Sequence, residues 1–112
     1  MKFALALAAL SSLAFTGASK AQTADPSVGR RLAATLCVDC HRIDATTPPK
    51  DATSQAPSFV DVARLPSTNE LAIKVFLRSS HSQMPNFILT PEEIDSVAAY
   101  IVSLAGTKRQ EK

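Results

Sequence analysis

The feature that most constrains this chain is the pentapeptide Cys-Val-Asp-Cys-His at residues 37–41. Two cysteines at this spacing, followed directly by a histidine, are typical of covalent attachment of a c-type haem. Each thiol adds across one porphyrin vinyl group to form a thioether. Positions i, i+3 and i+4 share one face of a helical turn, so Cys37, Cys40 and His41 can point at one flat cofactor. The motif predicts one haem c, covalently held through two thioethers, with His41 as an iron ligand.

Three other kinds of site use the same residue types. A thioredoxin-like redox pair has this cysteine spacing but belongs in a βαβ pattern, and no strand alternation surrounds Cys37. A zinc site needs about four ligands, so it would recruit His81, because the chain holds two cysteines and two histidines. A disulfide closing so short a loop would stabilise the fold little. We favour haem over all three.

Residues 1–21 have the features of an export signal. Lys2 supplies a short positive region, and residues 3–15 are almost continuously apolar. Ser19 and Ala21 are small residues at the two positions that a signal peptidase reads, so we predict cleavage after Ala21. The apolar stretch is shorter than the ~20 residues of a spanning helix, although a retained membrane anchor is the alternative. Because bacteria attach c-type haem outside the cytoplasm, we predict a periplasmic protein without stable membrane insertion.

Removal of the signal leaves residues 22–112, the length of a single domain. The full chain has 12 basic and 10 acidic residues. Loss of Lys2 and Lys20 with the signal leaves equal numbers of basic and acidic residues. No basic run remains that would bind nucleic acid. The aromatic residues of the mature chain are few: Phe59, Phe76, Phe87 and Tyr100. A domain with so small a core usually needs an additional stabilising element, such as a disulfide or a metal. Covalent haem would serve this role, so we expect the apoprotein to fold poorly.

The pattern predicts three main helices separated by long loops. Asp25 caps the first helix, and Pro26 suits its opening turn. Residues 42–66 contain several prolines and predict a long loop with at most short helical turns. Ser67 to Glu70 matches a capping box for the second helix. That helix carries Leu71, Val75 and Phe76 and is predicted to end near residues 79–80.

The last helix has the clearest signal of the three. Thr90 to Glu93 forms a second capping box, with a proline at the first helical position. Apolar residues then recur at i, i+3, i+4, i+7 and i+10, namely Ile94, Val97, Ala98, Ile101 and Leu104. This spacing is that of an amphipathic helix, and Gly106 marks its end.

A haem iron bound by His41 has one axial position left, which nitrogen or thioether donors usually fill. Met84 is the sole thioether once Met1 leaves with the signal, and it lies in a loop before Pro85. Methionines that pack a core more often lie on helix faces, so we predict Met84 as the second ligand. His81 is the rival ligand; otherwise it is a loop histidine that titrates near neutral pH.

Residues 25–105 resemble a small monohaem class I cytochrome c. The order of features is that of the family: helix, haem motif, proline-containing loop, helix, methionine-proline loop, last helix. The resemblance implies an all-α fold of three main helices and long loops wrapped around one covalent haem. It also implies that Gly29, eight residues before Cys37, lets the first and last helices cross closely, and that Tyr100 packs at the crossing.

The resemblance covers three further positions. Family members often have an aromatic residue where this chain has Ala33, which suggests a looser crossing or a substitute in Leu32. Pro57 matches the family proline whose carbonyl accepts the N–H of the proximal histidine, with residues 48–49 as competitors. Such a bond fixes the ring and raises its basicity. Arg64 is a candidate partner for a haem propionate by loose analogy, or a solvated loop charge.

The function that the resemblance implies is one-electron transfer in the periplasm, not enzyme catalysis. Membrane oxidases or periplasmic dehydrogenases would be the partners, met at a small transient interface. The alternative is a dedicated haem c subunit of a periplasmic oxidoreductase complex. A third hypothesis is a haem enzyme or gas sensor with five-coordinate iron, and Met84 argues against it.

Overall fold

The structure is a computed structural model that describes residues 23–79 and 83–106, and its regular elements there are helices. The α-helices are α1 Pro26–Leu32, α2 Phe59–Arg64, α3 Glu70–Leu77 and α4 Pro91–Ser103. A π-helical turn, Ala33–Cys37, continues α1, and a 3₁₀ turn, Leu104–Gly106, continues α4. None of the described helices is long and apolar enough to cross a membrane. The signal segment and its cleavage site lie outside the described residues.

The predicted caps of the first and last helices are confirmed. The Asp25 carboxylate accepts a hydrogen bond from the Ser27 N–H at 2.8 Å, ahead of Pro26 at the first helical position. In α4 the Thr90 hydroxyl accepts from the Glu93 N–H at 3.2 Å, and the Glu93 carboxylate accepts from the Thr90 N–H at 2.8 Å. These bonds satisfy backbone donors that the first turn of a helix leaves free, and therefore set where both helices begin.

The predicted cap of the second helix at Ser67 is wrong. The Asn69 side chain caps α3 instead and accepts a hydrogen bond from the Ala72 N–H at 2.9 Å. The Thr68 N–H donates to the Leu65 carbonyl at 2.9 Å, which closes a turn with Pro66 at its second position. Proline favours that position, so the turn holds Ser67 outside the helix and α3 starts at Glu70.

The core forms where α1 crosses α4. A Cβ on Gly29 would overlap the Ser96 carbonyl and lie 2.8 Å from the Tyr100 Cβ. The predicted close approach of Gly29 to the last helix near Tyr100 is therefore confirmed. At the position where the family often has an aromatic residue, Ala33 is fully buried, and Leu32 packs against the core.

The apolar stripe of α4 is buried as its spacing predicts. Its members are 0–8 % exposed: Ile94, Val97, Ala98, Ile101 and Leu104. The α3 helix buries Ile73 but leaves Leu71, Val75 and Phe76 more than half exposed. The long loop after the haem motif contains the six-residue helix α2, which contributes buried Phe59, Val60 and Ala63 to the core.

Candidate haem site

The two cysteines and the histidine of residues 37–41 lie on one continuous turn. The Val38 N–H donates to the Ala33 carbonyl at 3.0 Å, which is an i to i+5 bond. The His41 N–H then donates to the Cys37 carbonyl at 2.8 Å, and the Cys40 N–H to the same oxygen at 3.2 Å. A π-helical turn inserts one extra residue into a helix and is frequent at functional sites. Here the turn connects the end of α1 to Cys37, its own last residue.

The two thiols lie in different environments. Cys37 is partly buried and Cys40 is exposed, and both are free thiols. Burial raises the pKa of the Cys37 thiol to about 11, so the free thiol is not activated as redox-active cysteines are. Among the described residues no three His, Cys, Asp or Glu side chains are grouped to hold a metal ion. The zinc alternative depends on His81, which lies outside them.

The His41 ring is held from one side by the loop that carries Pro57. Its Nδ1 lies 2.7 Å from the Pro57 carbonyl oxygen, and its ring centroid lies 5.0 Å from that of Phe59. A carbonyl oxygen can only accept, so Nδ1 carries the proton in this contact and Nε2 keeps its lone pair for a metal. The hydrogen bond predicted between His41 and Pro57 is present, and the competing residues 48–49 do not take this place.

Met84 and Cys37 line one groove, although they are far apart in the sequence. The groove is open to solvent on one side. Its lining residues are all uncharged: Leu32, Leu36, Cys37, Leu77, Ser79, Met84, Pro85, Asn86, Phe87, Leu89 and Val97. This mostly apolar wall, with a thiol and a thioether in it, offers the apolar contacts and the soft sulfur donor that a haem uses.

The sequence did not reveal two parts of this site. Leu77 and Leu89 line the groove, but neither stands out from neighbouring apolar residues in a helix or a loop. The ring contact between His41 and Phe59 joins two segments whose spacing follows no periodic pattern. Arg64 lies in the last turn of α2, and its assignment to a propionate stays a prediction.

Comparison with known proteins identifies the class. The family model for cytochrome c matches residues 27–105. The chain is also 37% identical over 89 residues to cytochrome c-552 of Bradyrhizobium diazoefficiens, covering 80% of this chain and 84% of that protein. No solved structure gives a significant match. The chain therefore belongs to the cytochrome c family, as a class I monohaem c-type cytochrome with the all-α fold and covalent haem c of that family.

Proposed function

We propose that this protein is a periplasmic one-electron carrier whose haem iron is ligated by His41 and Met84. Cys37 and Cys40 would hold the porphyrin through thioethers. The observation that carries the proposal is that Cys37 and Met84 line one groove. A second, separate observation is that the His41 ring is held at Nδ1 by the Pro57 carbonyl. Transfer of electrons to and from redox partners is the general function of the family. The periplasmic location and the His41–Met84 ligand pair are the parts that we propose.

Each side chain has a distinct part in this function. In attachment, each thiol adds its sulfur to one carbon of a vinyl group and its hydrogen to the other. Bound haem supplies an iron that accepts and releases one electron. The Pro57 carbonyl keeps the lone pair of His41 Nε2 free for a metal, and the soft sulfur of Met84 would raise the reduction potential relative to a second nitrogen. Ligation by both residues would leave dioxygen and peroxide no place on the iron, as a carrier requires.

The periplasmic location rests on residues 1–21, which precede the described part of the chain. Their positive start, apolar stretch and small residues at the cleavage site are those of an export signal. Haem attachment outside the cytoplasm is consistent with that route. Secretion of the haem-loaded protein into a periplasmic fraction, with Ala21 as the last residue removed, would support this location, and retention in the membrane pellet would contradict it.

The proposal is tested by mass and by redox titration. The chain is expressed with a cytochrome c maturation system, denatured and weighed. We expect the mass of the mature polypeptide plus one haem, and a spectroelectrochemical titration that fits transfer of one electron. A variant with both Cys37→Ser and Cys40→Ser is the control and should have the bare polypeptide mass. A bare mass for the wild-type chain would contradict covalent attachment.

A second candidate function is that of a dedicated haem subunit in an oxidoreductase complex. The exposed apolar side chains favour it, because Leu71 is 70% exposed and Ile88 is fully exposed, and such surface often marks an interface. Native mass measurement of protein isolated from periplasm distinguishes the two functions. A monomer supports the carrier, and a stoichiometric complex that survives purification supports the subunit.

A further inference from the structure

A buried polar junction lies where α1, α4 and the segment after His41 meet. Tyr100 is 5% exposed, and its hydroxyl donates to the Ile43 carbonyl at 2.9 Å across 57 positions of sequence. Ile43 itself is 2% exposed. A buried carbonyl needs a donor, and Tyr100 provides one from the opposite end of the chain.

Packing of the two helices does not require the hydroxyl of Tyr100. The Cβ of Tyr100 already lies against Gly29 at the helix crossing, and a phenylalanine ring would fill the same volume. Tyrosine adds a hydroxyl to that ring, and the hydroxyl donates a hydrogen bond to the backbone carbonyl two residues after His41. A buried tyrosine hydroxyl usually marks a specific partner, and here that partner is part of the segment that carries the histidine.

We propose that Tyr100 is a positioning residue for His41, acting through the Ile43 carbonyl. This inference rests on His41 being the iron ligand, as proposed above. The ring of His41 is restrained at Nδ1 by Pro57, and its backbone is restrained two residues later by Tyr100. The two restraints come from different parts of the chain, the long loop and α4, so removal of one leaves the other in place.

Charged groups around the hydroxyl stabilise the same segment. Asp44 follows Ile43, and its Oδ1 accepts hydrogen bonds from the Thr46 N–H at 2.9 Å and the Thr47 N–H at 2.6 Å. From α1, Arg30 lies 3.5 Å from the other carboxylate oxygen of Asp44. Burial and the charge of Asp44 raise the pKa of Tyr100, against the opposing effect of Arg30. The hydroxyl therefore keeps its proton, and remains a donor, throughout the neutral range.

The chain offers a matched control for removal of this hydroxyl. The buried Ser96, also in α4, accepts a hydrogen bond from the Asp25 N–H at 3.2 Å across the same helix crossing. Ser96→Ala removes one long-range bond at this interface without touching residues 41–44. Tyr100→Phe removes the bond to the Ile43 carbonyl and the hydrogen bond with the Arg30 side chain, and it alone frees the Ile43 carbonyl. Comparing the two variants separates loss of interface stability from loss of control over His41.

The test uses haem-loaded protein and two spectroscopic measurements. Proton NMR of the ferric protein records the haem methyl resonances, whose spread depends on axial ligand orientation. Acid titration records the low-spin to high-spin change, in which protons compete with iron for His41. Neighbours of a metal ligand typically contribute 10- to 100-fold to metal affinity. We expect Tyr100→Phe to change the pattern of haem methyl resonances and to raise the acid midpoint by about one pH unit. Such a shift corresponds to about a tenfold lower affinity between iron and His41.

Ser96→Ala should leave the methyl pattern as in wild type and move the acid midpoint less. Equal effects of the two variants on both measurements would overturn the role of Tyr100. Wild-type protein without a histidine ligand would instead overturn the proposed function. If Tyr100→Phe does not fold, 3-fluorotyrosine can replace the single tyrosine of the chain. Fluorine strengthens the donor, so the acid midpoint should fall below that of wild type, and an unchanged or higher midpoint would contradict the inference.

Discussion

Two sides of the molecule are packed in different ways. The crossing side consists of α1, α4 and residues 37–44, and the groove side consists of α3 and residues 83–89. On the crossing side Ala33, Val97 and Ile43 are no more than 2% exposed. On the groove side Ile73 is buried, but five large apolar side chains are 37–102% exposed: Leu71, Val75, Phe76, Phe87 and Ile88. Among the described residues, the crossing side is therefore closely packed and the groove side presents apolar surface.

The difference indicates where the cofactor contributes to folding. On the crossing side, glycine, capping bonds and the hydroxyl of Tyr100 bring three segments into contact without any added group. On the groove side, Phe87 lines the cavity and is 37% exposed in the described part of the chain. Burial of apolar surface contributes roughly 25 cal/mol per Å². Leu32, Cys37 and Val97 of the crossing side also line the groove, but they already pack in or against the core. Haem bound in the groove would therefore stabilise residues 83–89 and the end of α3 more than the crossing side.

Removal of the haem should have the largest effect and should separate the two sides. In the variant with Cys37→Ser and Cys40→Ser, we expect amide hydrogen exchange in α3 to accelerate by about a hundredfold or more. The α1 and α4 amides should lose less protection, because their packing against one another remains. Mass-resolved hydrogen exchange on the haem-loaded and haem-free forms measures this. Equal loss of protection in α3 and α4 would show that the two sides fold as one unit.

A methyl group added at Gly29 should cause the next largest effect, on the crossing side. Gly29→Ala would place its Cβ on the Ser96 carbonyl, which is backbone and cannot move aside. We expect the free energy of unfolding to fall by about 2–3 kcal/mol, as for overpacking. Gly106→Ala is the control, because a Cβ there meets nothing within 4 Å. If helix propensity were the only effect, Gly29→Ala would raise the free energy of unfolding by about 1 kcal/mol. Such a rise would contradict the close approach of α4.

Asp44→Asn tests the charged part of the crossing side through pH. Burial opposes ionisation of Asp44, but hydrogen bonds from Thr46 and Thr47 outweigh it and lower its pKa from 3.8. A lowered folded-state pKa means that the charge stabilises fully above the ordinary value and loses this effect as the pH falls through the folded-state pKa. We expect a loss of about 1 kcal/mol at neutral pH in chemical denaturation. A gap between variant and wild type that stays constant in strong acid would contradict this origin.

The smallest effect should come from Lys74, whose ion pair with Asp95 joins α3 to α4. Lys74 lies 3.1 Å from Asp95 and 3.7 Å from Glu70, and its side chain is 24% exposed. Lys74→Met keeps the stem and removes the charge, so we expect a loss of about 0.5 kcal/mol in thermal or chemical unfolding. Lys50→Met is the control, because Lys50 and its partner Asp39 are 66% and 65% exposed. Effects of the same size in both variants would show that Lys74 does not join the two sides.

The parts of the fold that follow from local chemistry were predictable. The caps at Asp25 and Thr90 and the apolar spacing of α4 depend only on nearby residues, so both terminal helices could be predicted from the sequence. The start of α3 was mispredicted because Ser67 and Asn69 both cap helices well, and the turn at Pro66 decides between them. The bond from Tyr100 to Ile43 was not predictable, because nothing in either segment encodes a partner 57 positions away. The Pro57 contact was reached through resemblance to the family, not through periodicity.

The sulfur-to-iron charge-transfer band of the ferric protein tests the ligand pair most directly. It lies in the near infrared and requires a thioether on the iron. Wild-type protein should be low-spin and show the band, and Met84→Ala should abolish it, lower the reduction potential and let cyanide or carbon monoxide bind. Gln83→Ala, the adjacent control, and His81→Ala should both retain the band. A band that survives Met84→Ala, or a sixth ligand that is lost with His81→Ala, would contradict ligation by His41 and Met84.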